Sequence, residues 1–240
     1  MKRNVYALAI IALAWAVLHY FVDPRLIPSP QDTLLALIKN WEPILLHVLA
    51  SLYRIVFAMV VTLLIGVPLG ILIATHKRID HIVSPVIYAL YPIPKIALLP
   101  ILMLFFGLGD ASKIILVGLI IFFQILVSTR DGVKAINPSY YVSMRTLGAS
   151  KWQVYRHMII PATIPNLFTS LRLSIGTSIS VLFFAENFAT EHGIGYYIMD
   201  SWLKLDYVGM FAGIVAISVM GVFLFAFIDF LERKIYRWHA

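Results

Sequence analysis

Long apolar runs, separated by short polar segments, dominate the pattern of hydrophobic positions along this chain. A helix needs roughly 20 apolar residues to cross a hydrocarbon core about 30 Å thick, and several of these runs are long enough. Because the runs are continuously apolar and do not alternate, they predict helices and not the strands of a membrane barrel. We predict an all-α polytopic membrane protein, a single transmembrane domain over residues 1–240 with about six transmembrane helices. The predicted spans are Val5–Val22, Leu52–Thr75, Val83–Phe106, Ile114–Val127, Ile164–Ala185 and Val208–Phe230.

The composition agrees with this class. Of 240 residues, 61% are hydrophobic and 13% are charged, which excludes an ordinary soluble globule. The chain has no cysteine, which excludes a disulfide framework, a thiol nucleophile and thiolate metal sites. The start resembles a signal peptide, and Ala12-Leu13-Ala14 mimics a cleavage site. Cleavage there would leave an apolar region of only about seven residues, so we favour an uncleaved first span.

The basic residues predict the orientation, because cytoplasmic loops carry an excess of Lys and Arg. With the N-terminus inside, the predicted cytoplasmic segments hold about twelve Lys and Arg and the external segments four. We therefore predict a multi-pass protein of the inner membrane with both termini in the cytoplasm. The net charge of +7 is explained by these loops, and no nucleic-acid partner is expected. The inside set is Lys2, Arg3, Lys77, Arg78, Arg130, Lys134, Arg145, Lys151, Arg156, Arg233, Lys234 and Arg237; the outside set is Arg25, Lys39, Lys113 and Lys204.

A basic, polar segment from Ser128 to Pro161 lies between the fourth and fifth predicted spans. Asn137-Pro138 is a helix start, with an N-cap followed by proline at the first helical position. Gly148 suits the left-handed residue that ends a helix, and Ser150 to Gln153 has the form of a capping box. We predict a hairpin of two short helices, about residues 129–162, the second stopping near Pro161. The spacing alone fits a knob that docks on a partner and equally a loop lying on anionic lipid.

The same segment resembles the coupling motif of ATP-binding-cassette (ABC) importer permeases. That motif reads Glu-Ala-Ala, three residues, Gly, nine residues, then Ile-x-Leu-Pro, and here Gly148 and Pro161 fall in register. Val142, Ser143 and Met144 replace the Glu-Ala-Ala triplet, which removes the acid to which a docking contact is attributed. The resemblance implies that these three residues, with the remaining matched positions, contact an ATPase. Those positions are Gly148, Ala149, Ser150 and Pro161.

Other motifs extend the resemblance over nearly the whole chain, to the permeases of nitrate, sulfonate, taurine and bicarbonate importers. It implies a homodimer docked on two ABC ATPase subunits, which use ATP and Mg²⁺, and an extracytoplasmic solute-binding protein that delivers a small anionic solute. No cofactor is expected in this chain itself, and membrane lipid surrounds it. The motifs are Leu26–Pro30, Ile65–Gly70, Pro92–Pro100, Phe105–Gly109 and Gly193–Tyr196.

The third predicted span holds a lysine among prolines. Pro92, Pro94 and Pro100 each lack a backbone donor and are predicted to interrupt the helix. A lysine in a span costs roughly 3 kcal/mol on insertion scales and is by default a functional candidate. Lys95 and Pro94 are therefore candidates for a solute pathway, where the ammonium would attract an anion. The alternative, left open by the sequence, is that Lys95 reaches an interface or pairs with a backbone carbonyl.

The fifth predicted span carries a polar stripe of four residues on one helical face. Such a face lines a hydrophilic path or packs closely against another helix, and the sequence leaves both open. Its members are Ser170, Ser174, Thr177 and Ser178, of which the last three are pathway candidates. Glu186 ends the same span, and a structural hydrogen bond or a gate suits it better than contact with an anionic solute. Arg172 is expected to stabilise the helix or to snorkel to the membrane surface, and not to contact the solute.

Motifs for chemistry are absent from the sequence. It has no Gly-x-x-x-x-Gly-Lys-Ser/Thr loop for ATP phosphates and no His-Glu-x-x-His metal site, so we expect a transport subunit and not an enzyme. Two alternatives stay open: a stand-alone secondary carrier or channel, and an ABC permease for a different small organic solute.

Overall fold

The computed structural model describes residues 2–23 and 25–235, and all the regular structure in those ranges is helical. Arg237 lies outside the described residues, as do the side chains of Lys2 and Arg3. In chain order the helices are α1 (Lys2–Phe21), α2 (Pro30–Lys39), α3 (Trp41–Thr75), α4 (Lys77–Leu90), a 3₁₀ turn (Lys95–Leu98), α5 (Leu99–Phe106), α6 (Asp110–Lys134), α7 (Pro138–Thr146), α8 (Lys151–Ala185), α9 (Ile194–Leu203) and α10 (Tyr207–Ile235).

The prediction of an all-helical membrane protein is confirmed. Four of the described helices, α3, α6, α8 and α10, are long and apolar enough to cross a membrane. A fifth span is counted if α4 and residues 95–106 are taken as one broken span, and Ala9–Phe21 of α1 is a shorter apolar helix. The described residues therefore contain four spans, or five with the broken one, and the count of six stays a prediction.

The third predicted span, Val83–Phe106, is not one continuous helix. α4 and the helical residues 95–106 meet at 82°, with Pro92 and Pro94 in the turn between them. The predicted interruption is thus confirmed at these two prolines. Pro100 does not interrupt anything, because it lies in the first turn of α5, where a missing N–H would have no helical partner anyway.

The fifth predicted span begins earlier than expected, and Pro161 does not end a helix. α8 runs from Lys151 through Pro161 to Ala185, with a π-helical turn at Tyr155–Ile159. In that turn the Ile160 N–H donates to the Tyr155 carbonyl, five residues back. The wider π turn accommodates a proline that cannot donate an N–H, so the helix continues into the span. The fourth span likewise extends past Val127 to Lys134.

Two compact units divide the described chain. The first comprises residues up to Tyr53 together with Leu182–Gly221. Its core is a cluster of Ile44, Ile194, Ile198, Ala212 and Ala216. In this unit a Cβ on Gly213 would lie 2.6 Å from Ile198 Cγ1, so this glycine permits close packing inside the subunit.

The second unit comprises Arg54–Val181 and the residues from Val222. α3 and α6 pack closely in it, because a Cβ on Gly70 would lie 2.8 Å from the Leu126 carbonyl oxygen. Ile73, Ile87 and Leu126 form one buried cluster there. At its other end Arg172 pairs with Asp229, 2.9 Å away, and with Glu232, which confirms the predicted stabilising role of that arginine.

Candidate functional site

Residues 137–161, here called the turn segment, have the predicted helix caps. The Asn137 side chain accepts a hydrogen bond from Ser139 N, 2.9 Å away, at the start of α7. Gly148 has φ +73°, and the capping box at the start of α8 joins Gln153 N to Ser150 Oγ at 3.3 Å and Ser150 N to Gln153 Oε1 at 2.7 Å. These local signals are confirmed, and they produce a tight reversal between α7 and α8.

The inner face of the turn segment packs on the ends of α3 and α6. Met158, Ile159 and Val133 form a buried cluster, and Ile71 and Ala74 of α3 pack against it. Tyr141, Met144, Val154 and Tyr155 of the turn segment pack against the same cluster. A displacement of the turn segment therefore has to move the ends of these two helices with it.

Tyr155 adds a polar tie to this face. Its hydroxyl donates to Thr75 Oγ1 at 2.9 Å, which joins the π turn of α8 to the last residue of α3. Nearby, burial raises the pKa of the Tyr141 hydroxyl above its ordinary value, and the adjacent Tyr155 raises it further. The Tyr141 phenol is thus a neutral part of the packing.

The outer face of the turn segment is apolar and basic. Leu147 is 81% exposed, and Tyr140, Val142 and Trp152 are each more than 60% exposed. The segment contains no acid. Its exposed cations are Arg145, Lys151 and Arg156. An exposed apolar patch with a basic rim is typical of a surface that binds another protein or a membrane.

The residues expected to contact an ATPase do not all lie on this outer face. Val142, Ser143, Gly148 and Ser150 are exposed, whereas Met144 and Ala149 are partly buried. Pro161 is exposed along α8. The sequence analysis did not single out Leu147 and Trp152. The signal that marks them is position, because they flank the Gly148 turn, where no neighbouring helix covers a side chain.

Two of the five cations of the segment from Ser128 to Pro161 form contacts inside the second compact unit. Arg130 is 2% exposed and donates to Ser84 Oγ at 2.8 Å, Tyr88 Oη at 2.7 Å and Asp131 Oδ1 at 2.9 Å. Lys134 pairs with Asp80 at 2.7 Å. These contacts join the end of α6 to α4, so Arg130 and Lys134 are not part of the outer face of the turn segment.

Lys95 lies at the break between α4 and the 3₁₀ turn. Its ammonium donates to the carbonyl oxygens of Leu90 at 3.3 Å, Tyr91 at 2.9 Å and Ile93 at 3.4 Å. It also lies 4.9 Å from the centroid of the Phe123 ring. The three carbonyls lie at the C-terminal end of α4 and in the turn that follows it, where the last carbonyls of a helix lack intrahelical N–H partners. The arrangement is the carbonyl pairing named as the alternative for Lys95, and Pro94 precedes the 3₁₀ turn as its cap.

The polar stripe of the fifth span divides into a buried part and a partly exposed part. Ser174 is fully buried and donates to Gln124 Oε1 of α6 at 3.2 Å, while Ser170 lies 3.5 Å from the Gln124 carbonyl oxygen. Ser178 is also fully buried, and its hydroxyl has no hydrogen-bond partner within residues 2–23 and 25–235. Thr177 is partly exposed and donates to the Leu173 carbonyl at 3.0 Å. Ser170 and Ser174 thus pack α8 on α6, whereas Thr177 bonds only within its own helix.

Glu186 binds the start of α9. It is fully buried, and its Oε2 accepts a hydrogen bond from Gly195 N at 2.8 Å. Ser51 Oγ donates to Glu186 Oε1 at 2.7 Å and accepts from Ile194 N at 2.9 Å. His47 Nδ1 accepts from Gly193 N at 3.0 Å. Side chains of α3 and Glu186 therefore satisfy the N–H groups that open α9, where a negative charge is also favourable.

A buried cation escaped the sequence analysis. Lys113, counted there as an external charge, is 1% exposed and donates to the carbonyls of Leu108 at 2.8 Å and Gly109 at 3.2 Å. It closes the turn before α6. Within residues 2–23 and 25–235, no group of three or more His, Asp or Glu side chains could hold a metal ion.

Comparison with known proteins places this architecture. The family model described as "Binding-protein-dependent transport system inner membrane component" matches residues 66–237. The taurine transport system permease protein of Escherichia coli is 31% identical over 99% of this chain and 90% of its own length. The formylaminopyrimidine transport permease protein of Halalkalibacterium halodurans is 30% identical over 99% and 98%. A putative aliphatic sulfonates transport permease protein of Bacillus subtilis is 30% identical over 96% and 85%.

The fold agrees with a solved transporter. A methionine ABC transporter in an inward-facing conformation aligns with a TM-score of 0.65 at 18% identity, covering 79% of this chain and 94% of that one. At this identity the likeness concerns the fold alone. The family match spans well over half of this chain and the relatives align along nearly all of it. This chain therefore belongs to the binding-protein-dependent transport system inner membrane components, the permease family of ABC importers.

Proposed function

We propose that this chain is the membrane-spanning subunit of an ATP-driven importer and that its turn segment docks on a separate ABC ATPase subunit. The observation that carries the docking proposal is the outer face of the turn segment. Leu147, Trp152 and Val142 are exposed there beside Arg145 and Lys151, in a segment without an acid. The missing acid of the coupling motif is replaced by an apolar contact in this proposal. Because the inner face of the turn segment packs on the ends of α3 and α6, a partner docked on the outer face is connected to these two helices.

The proposed transport cycle follows from this packing of the turn segment on α3 and α6. Two copies of this chain form a homodimer, and each turn segment lies on one of two ATPase subunits that bind ATP and Mg²⁺. Closure of the ATPase subunits pulls the turn segments, and the packed ends of α3 and α6 follow, so that access to the pathway changes sides. An extracytoplasmic solute-binding protein delivers the solute, and both termini of this chain lie in the cytoplasm.

The proposed solute is a small organic anion of the sulfonate type. This rests on two of the relatives, whose names give taurine and aliphatic sulfonates as what they transport. The formylaminopyrimidine relative is equally similar, and it supports the alternative of a different small organic solute. Of the candidate pathway residues, Thr177 keeps a partly exposed hydroxyl, whereas Ser174 and Ser178 are buried. Among Ser174, Thr177 and Ser178, we propose Thr177 as the pathway residue. Lys95 and Pro94 are proposed to hold the break between α4 and the 3₁₀ turn in position.

Purification of the tagged chain from its native membrane in mild detergent, with partners identified by mass spectrometry, tests the assignment. We expect an ATPase subunit in equal amount. Leu147→Glu should reduce the recovered ATPase at least about tenfold, because a carboxylate replaces an apolar side chain at the centre of the contact. Leu203→Glu is the matched control: Leu203 is 73% exposed and belongs to the other compact unit, so its change should leave recovery at the wild-type amount.

Two results would reject parts of this proposal. Recovery of the ATPase in full with Leu147→Glu would reject the apolar docking surface but leave the importer standing. A chain that is purified alone and still moves solute in liposomes without ATP would be a secondary carrier or channel.

A further inference from the structure

An apolar groove opens between α3 and α8, beside the turn segment and within the second unit. It has a volume of about 450 Å³. Val67 and Leu72 line it from α3, and Tyr155, Ile164 and Leu167 line it from α8. Nothing in the described residues of either helix covers its open side, where Leu72 is 40% exposed.

The polar groups of this groove are already paired. The Thr163 hydroxyl donates within α8, to the carbonyls of Ile159 at 3.1 Å and Ile160 at 2.9 Å. The Tyr155 hydroxyl donates to Thr75 Oγ1. The groove therefore offers hydrocarbon contact and no free hydrogen-bond donor, which suits an alkyl chain and not a polar solute.

The length of the groove matches one leaflet of a bilayer. Along α8 it runs from Tyr155 to Leu167, about 18 Å at 1.5 Å per residue. The hydrocarbon core of a bilayer is about 30 Å thick, so one leaflet accounts for roughly 15 Å. A single acyl chain would thus fill the groove along its length.

Three cations adjoin one end of the groove in the sequence. The bonded pair of Tyr155 and Thr75 lies at this end, Arg156 follows directly in α8, and Lys77 and Arg78 follow Thr75 at the start of α4. All three cations are exposed. The one acid of the adjoining first turn of α4, Asp80, is paired with Lys134 and Ser84. Net positive charge at a headgroup position attracts anionic lipid.

We propose that this groove is a binding site for an anionic phospholipid, with one acyl chain between α3 and α8 and the phosphate at Arg78 and Arg156. The site goes beyond the transport function, and the proposed orientation of the chain would place its headgroup in the cytoplasmic leaflet. Occupancy would place the lipid against the Tyr155–Thr75 bond, at the junction through which the turn segment meets α3. An anionic lipid is thereby assigned as a ligand that stabilises this junction.

Native mass spectrometry of the purified full chain in detergent, titrated with phosphatidylglycerol or phosphatidylcholine, tests the site. We expect tighter binding of phosphatidylglycerol to the wild type. The double variant Arg78→Gln/Arg156→Gln should weaken phosphatidylglycerol binding about 25-fold, roughly fivefold for each cation near the headgroup. Arg25→Gln/Lys39→Gln is the matched control, because it removes the same charge from exposed positions of the other unit and should change the affinity less than twofold.

A second variant tests the acyl chain without changing any charge. Ile164→Trp fills the groove and should weaken both lipids by a similar factor, while thermal melting confirms that the variant is folded. Equal binding of phosphatidylglycerol by wild type, charge variant and groove variant would overturn the proposal. Displacement of the lipid by glycerol phosphate at equal concentration would also overturn it, because it would identify a phosphate site.

The other occupant of such a groove would be a second copy of the chain. If Ile164→Trp converts a dimer into monomers on size-exclusion chromatography and leaves lipid affinity unchanged, the groove is a subunit interface and the lipid proposal is wrong. None of these measurements needs the ATPase or the solute. If the lipid site is found but no ATPase subunit is recovered with the chain, the proposed function is rejected and the lipid proposal is not.

Discussion

Gly193 lies where no side chain fits, beside the carboxylate that binds the start of α9. A Cβ at this position would lie 2.5 Å from Glu186 Oε1 and 2.6 Å from Oε2, and its φ of +153° is unfavourable for an L side chain. We predict that Gly193→Ala displaces the carboxylate and destabilises the protein, by about 1–3 kcal/mol from backbone strain alone. Thermal melting in detergent should show a lower Tm by several degrees.

Gly176→Ala is the matched control for this prediction. Gly176 is a helical glycine of α8, and a Cβ there would meet nothing within 4 Å. Since alanine is the better helix former, its Tm should be equal to or slightly above that of the wild type. A Gly193→Ala protein that melts at the wild-type temperature would show that the Glu186 network tolerates displacement and does not hold the start of α9.

An unusual residue could be identified from its own chemistry and its neighbours in the sequence. Its partners could not be predicted where they come from distant segments of the chain. Lys95 was recognisable as unusual because a lysine among prolines in an apolar run has few explanations. Its actual partners are three carbonyls that converge only because the chain turns by 82° between α4 and residues 95–106. For Glu186 a structural hydrogen bond or a gate was expected, but its contact with Ser51 joins positions 135 residues apart, which no local pattern reveals.

At the scale of the element, the reversal between α7 and α8 depends on Gly148. Its φ of +73° is in the left-handed region, and a Cβ there would meet nothing within 4 Å, so any substitution acts through the backbone alone. We predict that Gly148→Val strains or reshapes the turn, at a cost of roughly 1–2 kcal/mol, and lowers solute uptake at least about tenfold. Uptake and ATP hydrolysis by the reconstituted complex measure the effect.

Gly148→Asn separates the backbone requirement from mere loss of glycine. Asparagine visits the left-handed region more readily than valine, so most of the uptake should remain. Full uptake with Gly148→Val would contradict the assignment of the turn segment as the coupling element. Loss of uptake with ATP hydrolysis unchanged would instead support a coupling defect.

Helix starts were predictable and helix ends were less so. The caps at Asn137 and Ser150 depend on residues within three positions of each other, and both are confirmed. The expected stop at Pro161 was wrong because a π turn accommodates the proline, and a π turn has no sequence signature of its own. The serine stripe of α8 could not be assigned to packing or pathway until its neighbour, Gln124 of α6, was known.

For the whole molecule, composition and apolar runs sufficed for the class, and motifs sufficed for the family. Span counting was harder, because the hydropathy of the region from Lys77 to Phe106 is that of a span whereas its path is bent by 82°. Orientation depends on a charge count in which several cations proved to be internal. Arg130 and Lys113 are both at most 2% exposed, one from each side of that count, so the excess of predicted cytoplasmic cations is retained.

The absence of native cysteine makes the orientation directly measurable. Single cysteines at Arg78 and Leu147, both exposed, are predicted to lie in the cytoplasm, and single cysteines at the exposed Lys39 and Lys204 outside. A membrane-impermeant maleimide added to intact spheroplasts should label the second pair and leave the first pair unlabelled until the membrane is opened. The cysteine-free parent controls for background.

Labelling of Leu147→Cys in intact cells would place the turn segment outside, where no ATPase could reach it, and would reject the coupling proposal together with the orientation. Labelling of all four positions only after lysis would instead show that the chain crosses the membrane fewer times than the charge pattern predicts.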